Sequence, residues 1–327
     1  MIMTNRDATP HPLTFVHMSD PHVGHHALAE ATFERALEDV ARLRPRPEFI
    51  LLTGDLTEGE VGHYRAFRRI AARSPVPVIS LPGNHDVGNR LSDRSLPLLD
   101  RWRDEIGPDR LAFTAGGGKG GCPPCAVKGT VPFSSRFILL NSLFLRSPSR
   151  MRQARSPRLD DEVEAQWEFL ERELAGTAGG ARPPESVFIA FHHTPYAMRM
   201  DRFAGGYLPI NRASRRRILD LARRWRVQAI LSGHAHWSRE VLAGDTALIT
   251  TPSVSYNSPF GPGGQLPLGY RVVTVLGDHL FHRYKSIDLA GLAPFWVVGL
   301  RQRAGDGRWL DHLSGVIPNS RVALSVA

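Results

Sequence analysis

Short apolar runs alternate with amphipathic segments through the first third of the chain. The runs Leu13–Met18, Phe49–Thr53 and Val78–Leu81 have the length and the β-branched content of strands. Between them, apolar residues recur at helical spacing in residues 27–44 and 64–71. The run Phe49–Thr53 is apolar on both faces, which is typical of a strand inside a parallel sheet. The pattern therefore predicts a βαβαβ unit.

The same alternation continues along the chain. It predicts strands at Phe137–Asn141, Ser186–Phe191 and Ala229–Leu231, with helices at 159–174 and Ala213–Trp225 between them. Shorter apolar runs separated by turn residues follow, and they predict an antiparallel continuation at Ala247–Thr250, Tyr270–Leu276 and Leu280–Tyr284. We therefore expect an α/β protein with a largely parallel sheet.

A polar motif follows five of the predicted strands. These motifs are Asp20-Pro21-His22, Gly54-Asp55, Gly83-Asn84-His85-Asp86, His192-His193 and Gly233-His234-Ala235-His236. Right-handed βαβ units bring the carboxyl ends of their strands to one edge of the sheet, which is where open α/β sheets bind ligands. The motifs are therefore expected to converge on one site.

The residue types in these motifs indicate a metal centre. Carboxylate, amide oxygen and imidazole are the ligands expected for Mn, Fe, Zn or Co. Residues two apart in an extended segment point the same way, so Asp20 with His22, or His234 with His236, can address one centre. Ordinary strand-end turns also favour Asp, Asn and Gly, but they do not explain histidines at so many of the strand ends.

The motifs in this order resemble the calcineurin-like metallophosphoesterase superfamily over about residues 13–240. The phrases HMSDPHVG, LTGDLTEGE, LPGNHDVGN, FHHTP and SGHAH are most similar to the bacterial class III cyclic-nucleotide and glycerophosphodiester phosphodiesterases. The resemblance implies a four-layer αββα sandwich with the metal site at the carboxyl ends of the strands. It also implies hydrolysis of a small phosphodiester by attack of a metal-bridging hydroxide.

The resemblance also assigns roles to residues. It implies that two metal ions are held by Asp20, His22 and His236 on one side, by Asn84, His193 and His234 on the other, and by a bridging Asp55. His85 maps onto the general acid of the family, and the adjacent Asp86 is expected to orient its imidazole. Asn84 and His85 are also expected to bind the substrate phosphate.

Two adjacent histidines, His192 and His193, are both candidates for one ligand position. Spacing does not distinguish His192 from His193. We favour His193 as the ligand, because one residue and a proline follow it, as they follow the ligand of related phosphatases. His192 is then expected to pack or to hydrogen-bond behind the ligands.

The chain is expected to form one domain over residues 1–286, with loop insertions at about 106–130 and 143–158. Residues 287–327 are predicted to be a C-terminal extension that either packs on this domain or forms a dimer contact. The sequence therefore allows a homo-oligomer without requiring one.

Composition adds limits to the function. The formal charge of +9 suits a small phosphate-ester substrate, but the arginines are spread over helix faces, so specific nucleic-acid binding is not expected. No apolar run approaches the roughly 20 residues that cross a bilayer, so no membrane association is expected. Cys122 and Cys125 are too few for a disulfide framework, which favours a cytoplasmic protein.

Other functions compete with a phosphodiesterase. A phosphomonoesterase would use the same core and differ in the room for a second ester arm, and a nuclease is a weaker alternative. A scaffold that has lost its metals is disfavoured because all the expected ligands and His85 are present.

Overall fold

The structure is a computed structural model that describes residues 12–116, 134–146, 156–179, 184–196, 208–256, 268–289, 295–303 and 309–318. The strands are β1 Leu13–Met18, β2 Ile50–Thr53, β3 Val78–Leu81, β4 Leu111–Ala115, β5 Ser135–Leu139, β6 Ser186–Ala190, β7 Ala229–Ser232, β8 Arg239–Ala243, β9 Thr246–Thr250, β10 Gly269–Leu276, β11 His279–Ser286, β12 Phe295–Arg303 and β13 Trp309–Pro318. The α-helices are α1 Ala29–Ala41, α2 Val61–Ala71, α3 Asn84–Val87, α4 Leu96–Glu105, α5 Pro157–Gly179 and α6 Arg212–Arg224.

Two mixed sheets form the centre of the molecule. The first has the strand order β11-β10-β1-β2-β3, and the second has the order β4-β5-β6-β7-β9-β8. Strands β1, β2 and β3 are parallel, as are β5, β6, β7 and β9. Antiparallel strands close the remaining edges, with β10 and β11 beside β1 and with β4 and β8 on the outside of the second sheet.

An aromatic core fills the space between the sheets. Phe15 of β1 stacks on Phe49, with ring centroids 5.2 Å apart, and meets Phe137 of β5 edge-on at the same distance. Phe137 stacks in turn on Phe188 of β6 at 4.8 Å. All four rings are fully buried. Stacked and edge-to-face pairs of this kind add about 0.5–1.5 kcal/mol each to the burial of their area.

Helices cover the outer face of each sheet. Phe33 of α1, Tyr64 of α2 and Trp102 of α4 pack with the outward residues of the first sheet. Leu170 of α5 and Ile218 of α6 pack with those of the second. The resulting layers are helix, sheet, sheet and helix, so the expected four-layer αββα sandwich is confirmed.

The structure adds strands to two segments in which no strand was predicted. The stretch 106–130 is not wholly a loop insertion, because Leu111–Ala115 forms β4 and pairs antiparallel with β5. This strand was missed because it lies at a sheet edge and is only partly buried, without a continuous apolar run. In the C-terminal extension, β12 pairs with β13 to form a separate two-stranded sheet.

Some of the features discussed from the sequence lie in residues that the structure does not describe. Cys122 and Cys125 lie outside the described residues, as does most of the second expected insertion. Among the described helices α5 is the longest, at 23 residues. Neither it nor any other has an apolar stretch that would span a bilayer.

Candidate metal centre

The five polar motifs meet at the carboxyl ends of β1, β2, β3, β6 and β7. Backbone hydrogen bonds tie their loops together: the N–H of Asp20 donates to Gly54 at 3.0 Å, and the N–H of His22 donates to Asp55 at 3.0 Å. The N–H of Gly233 donates to His192 at 2.9 Å. The convergence expected from the order of strands and motifs is therefore observed.

The backbone at these loops is unusual. Asp20, His22, Asp55, His234 and His236 all have left-handed φ values, between 46° and 65°. Residues other than glycine rarely adopt this backbone conformation, which costs on the order of 1–3 kcal/mol for each residue. The surrounding hydrogen bonds stabilise this strained backbone. Because of this conformation, five donor side chains turn inward from the ends of three strands.

Two glycines make room for the carboxylates. A Cβ on Gly83 would lie 2.1 Å from Oδ1 of Asp55, and one on Gly233 would lie 1.8 Å from Oγ of Ser19 and 2.6 Å from Oδ2 of Asp20. Neither position accepts a side chain without movement of its neighbour. These glycines therefore allow the strand ends to approach one another closely.

The first half of the cluster contains Asp20, His22 and His236. Their potential ligand atoms all lie within 4.8 Å of one another, and the three residues are buried. Nε2 of His236 lies 3.1 Å from Oδ1 of Asp20 and 3.2 Å from Nε2 of His22. The nitrogen and oxygen atoms of all three residues thus face a common point.

The second half contains Asn84, His192 and His234. Nε2 of His192 lies 3.1 Å from Oδ1 of Asn84 and 3.1 Å from Nδ1 of His234. The amide nitrogen of Asn84 donates to Oδ1 of Asn89 at 2.8 Å, which directs the amide oxygen of Asn84 toward His192. This half, too, is a convergent set of oxygen and nitrogen donors.

Asp55 lies between the two halves. Its Oδ2 is 3.6 Å from Nε2 of His22 in the first half and 3.1 Å from Nε2 of His192 in the second. Its Oδ1 accepts the backbone N–H of His85 at 2.8 Å. One carboxylate oxygen is therefore shared by both donor sets, as a bridging ligand requires.

The structure places His192 among the donors, whereas His193 was the predicted ligand. Nδ1 of His193 lies 2.7 Å from Oγ of Ser142, and its Nε2 is buried without a hydrogen-bond partner among the described residues. The ring of His193 lies 4.2 Å from that of His234, and the ring of His192 lies 4.8 Å from it. The role of His193 as a ligand therefore stays a prediction.

Burial and opposite charges shift the pKa values of the cluster. Burial lowers the pKa of His22 to about 4, which leaves the imidazole neutral at pH 7 with a lone pair available. Burial alone would raise the pKa of Asp20, but the charges of His236 and His192 lower it to about 2. Burial likewise opposes ionisation of Asp55, and the charges of His192 and His85 outweigh it and lower its pKa. Burial opposes protonation of His192, but the charges of Asp55 and Asp20 outweigh it and raise its pKa to about 9. The carboxylates and His22 are thus in the protonation states that metal binding needs, and His192 would release a proton on binding.

His85 stands beside the cluster with its ring partly open to solvent. Its Nδ1 lies 2.8 Å from Oε2 of Glu58, and its side chain is 26% exposed. Burial lowers the pKa of His85, but the carboxylates of Asp55 and Glu58 more than compensate and raise it to about 9. The imidazole is therefore protonated at neutral pH, with a hydrogen on each ring nitrogen.

Asp86 was expected to orient the His85 ring, but in the structure the carboxylate beside that ring is Glu58, and Asp86 contacts backbone groups instead. The carboxylate of Asp86 accepts backbone N–H groups from Leu56, Thr57 and Gly83 at 2.9–3.0 Å. Burial and the nearby Asp55 raise its pKa to about 7. Asp86 thus holds the loop that carries Asp55 in place.

Three residues of this region are not among the predicted site residues. Glu58 contacts Nδ1 of His22 at 2.9 Å and Nδ1 of His25 at 3.1 Å, besides His85. Tyr256 contacts the rings of His22 and His236, with centroids 4.9 and 4.4 Å away. Nothing in the sequence pairs these residues, because they come from three separate loops.

Solved structures with the same fold include metal-dependent phosphatases. A dimetal phosphatase from Danio rerio matches with a TM-score of 0.52 and 15% identity, over 84% of this chain and 99% of that chain. A yellow lupin (Lupinus luteus) purple acid phosphatase matches with a TM-score of 0.55 and 12% identity, over 93% and 53%. At these identities the likeness concerns the fold.

Curated relatives in sequence comprise both phosphodiesterases and a phosphatase. The cAMP phosphodiesterase CpdA of Pseudomonas aeruginosa is 26% identical, over 84% of this chain and 90% of its own length. A probable glycerophosphodiester phosphodiesterase, GpdQ of Arcobacter nitrofigilis, is 25% identical, over 74% and 78%. The human serine/threonine-protein phosphatase CPPED1 is 25% identical, over 78% and 73%.

The resemblance seen in the motifs is thus confirmed by relatives of both phosphodiesterase types. The family model for the calcineurin-like phosphoesterases matches residues 13–238, which contain all five motifs. The chain therefore belongs to the calcineurin-like phosphoesterase family and is a metal-dependent phosphoric ester hydrolase.

Proposed function

We propose that the protein is a phosphodiesterase that uses two metal ions to hydrolyse a small phosphodiester. The observation that carries this proposal is the position of Asp55, whose Oδ2 lies within 3.6 Å of His22 and 3.1 Å of His192 in separate donor sets. A single metal would need only one of these sets. Two ions sharing a carboxylate lie about 3.5–4 Å apart in known sites of this kind.

The donor chemistry fits metal ions with borderline preferences. Each half offers two imidazole nitrogens and at least one oxygen, from the carboxylates or from the amide of Asn84. No thiolate takes part in either set, which favours Mn, Fe, Zn or Co over soft ions. Bound at this position, two such ions would polarise the phosphoryl group and activate water at neutral pH.

The protein's own residues would complete the reaction. The imidazolium of His85 can donate the proton of Nε2 to the departing alkoxide, while Nδ1–H donates to Glu58 and fixes the ring. Its positive charge also suits binding of the phosphoryl oxygens, together with the adjacent Asn84. Asp20 and Asp55 would stay ionised throughout the reaction and hold the ligand histidines in position.

Preference for a diester is supported by the relatives rather than by the site itself. CpdA and GpdQ are named as phosphodiesterases and match most of the chain. A phosphomonoesterase is the second candidate, because CPPED1 matches a similar share of the chain at a similar identity.

We also propose a cytoplasmic location, which rests on the presence of only two cysteines in 327 residues.

The test compares two substrates that differ in one ester arm. Bis-p-nitrophenyl phosphate and p-nitrophenyl phosphate would be assayed with Mn²⁺ and with a chelator, and the metal content would be measured on the same protein. His192→Ala and His193→Ala are matched variants, since they remove adjacent buried imidazoles of which one faces the donor cluster.

We expect chelator-sensitive turnover of the diester above that of the monoester, with two metal ions per chain. We propose that His192 rather than His193 is the ligand, because its Nε2 lies among the donor atoms. His192→Ala should therefore lose a metal ion, and His193→Ala should keep both. Preference for the monoester would favour the phosphatase. Equal metal loss in both variants would contradict the assignment of His192.

A further inference from the structure

Beside the proposed metal centre, His25 and Tyr256 form a stacked aromatic pair that the proposed reaction does not use. Their rings are stacked, with centroids 4.8 Å apart and planes inclined by 18°. His25 belongs to the loop between β1 and α1, and Tyr256 to the loop after β9. We propose that this pair, called the His25 shelf below, binds a planar ring in the leaving arm of the substrate.

Hydrogen bonds hold the shelf in place on both sides. Nδ1 of His25 lies 3.1 Å from Oε1 of Glu58, and Nε2 of the adjacent His26 lies 2.9 Å from Oγ of Ser255. The second bond joins the two loops directly. A ring fixed by such contacts loses little freedom when a ligand stacks on it, so the stacking energy is retained as affinity.

The loop that carries Tyr256 is anchored to the metal centre itself. Oγ of Ser253 donates to the backbone oxygen of Asp20 at 2.6 Å and accepts the backbone N–H of Tyr256 at 3.1 Å. The N–H of Val254 donates to the oxygen of Ser19 at 3.1 Å. The position of the shelf is thus coupled to that of the strand end that carries Asp20.

The shelf lies on the side of the site where the leaving group would depart. The ring of His25 is 6.4 Å from that of His85, the residue placed to protonate the leaving oxygen. Its side chain is 31% exposed, whereas that of His22 behind it is fully buried. Since Tyr256 covers one face of the His25 ring, a ligand would cover the opposite face.

These positions specify the chemistry of the ligand. A flat ring one sugar away from the phosphate would reach the shelf and stack on it, as nucleobases stack on protein aromatic rings. A glycerol or other alkyl arm would leave the shelf uncovered and gain nothing from it. The inference rests on the proposed function and narrows its substrate to esters with an aromatic base.

Direct binding tests the shelf apart from turnover. Isothermal titration of the Mn²⁺-loaded protein would compare AMP with the matching ribose phosphate, two ligands that differ only in the base. The variants are His25→Ala and His25→Phe, of which the second restores an aromatic ring. His279→Ala removes a histidine that is 71% exposed at the start of β11 and serves as the control.

We expect wild-type protein to bind AMP about tenfold more tightly than ribose phosphate, within the range for one stacked base. His25→Ala should remove this preference and His25→Phe should restore most of it, while His279→Ala keeps it. Equal binding of both ligands by wild-type protein would overturn the role proposed for the His25 shelf but would leave the proposed metal centre intact. Failure of both ligands to bind would instead contradict the proposed metal centre.

Discussion

Replacing Gly83 by alanine tests whether the close approach of β3 to Asp55 builds the metal centre. The added Cβ would lie 2.1 Å from Oδ1 and 2.2 Å from the backbone nitrogen of Asp55, and ordinary contact begins at 3.4 Å. The two groups must therefore separate by about 1.3 Å, the difference between 3.4 and 2.1 Å. Metal–ligand distances tolerate only about 0.2 Å of error.

Two losses are expected from Gly83→Ala. Forcing an extra carbon into a packed region lowers the free energy of unfolding by about 1–3 kcal/mol. Displacement of Asp55 should also remove bound metal and, with it, phosphodiesterase activity. Denaturant unfolding measures the first loss, and elemental analysis of the purified protein measures the second.

Gly62→Ala is the matched control. Gly62 lies near the start of α2, and an added Cβ there meets nothing within 4 Å. Alanine at this position should raise the free energy of unfolding by up to about 1 kcal/mol, because glycine is a poor helix former. Wild-type metal content and stability in Gly83→Ala would refute the role given to this close approach.

Variants at three further positions separate the roles of residues around the site. His85→Ala should keep both metal ions and lower kcat by about 100- to 10,000-fold, as for a lost general acid; loss of metal would contradict that role. The raised pKa of His85, about 9, predicts activity that falls above this pH as the imidazolium loses its proton. Glu58→Gln should move this fall in the kcat profile to lower pH by about one to two units, the worth of one hydrogen bond to a charge, and an unchanged profile would refute it. Asn89→Ala should weaken metal binding about 10- to 100-fold, because Asn89 directs the amide oxygen of Asn84, and Asn89→Asp should restore it by keeping the acceptor.

Much of the fold could be predicted because the central strands are continuous apolar runs. Strands β1, β2, β6 and β7 are buried on both faces, so nearly all of their residues are apolar, and β3 is buried at every second residue. The edge strand β8 alternates between partly buried and exposed positions, β4 is only partly buried, and no comparable apolar run marks either strand. The order of the motifs then sufficed to predict where the donors would meet.

The details of the site depend on three-dimensional relations that spacing does not contain. His192 and His193 both follow the end of β6, and spacing does not reveal that Nε2 of His192 lies 3.1 Å from Oδ1 of Asn84 while Nδ1 of His193 lies 2.7 Å from Oγ of Ser142. The partner of His85 is Glu58 rather than its neighbour Asp86, because the backbone of three residues already occupies the carboxylate of Asp86. Such pairings link loops distant in sequence.

Titration of the chelator-stripped protein with Mn²⁺, following bound metal and diester hydrolysis together, tests the central claim most directly. With two donor sets sharing Asp55, we predict two binding equivalents, activity that requires both, and loss of both binding and activity in Asp55→Asn. Full turnover of the diester by metal-free protein, or by Asp55→Asn, would contradict the account.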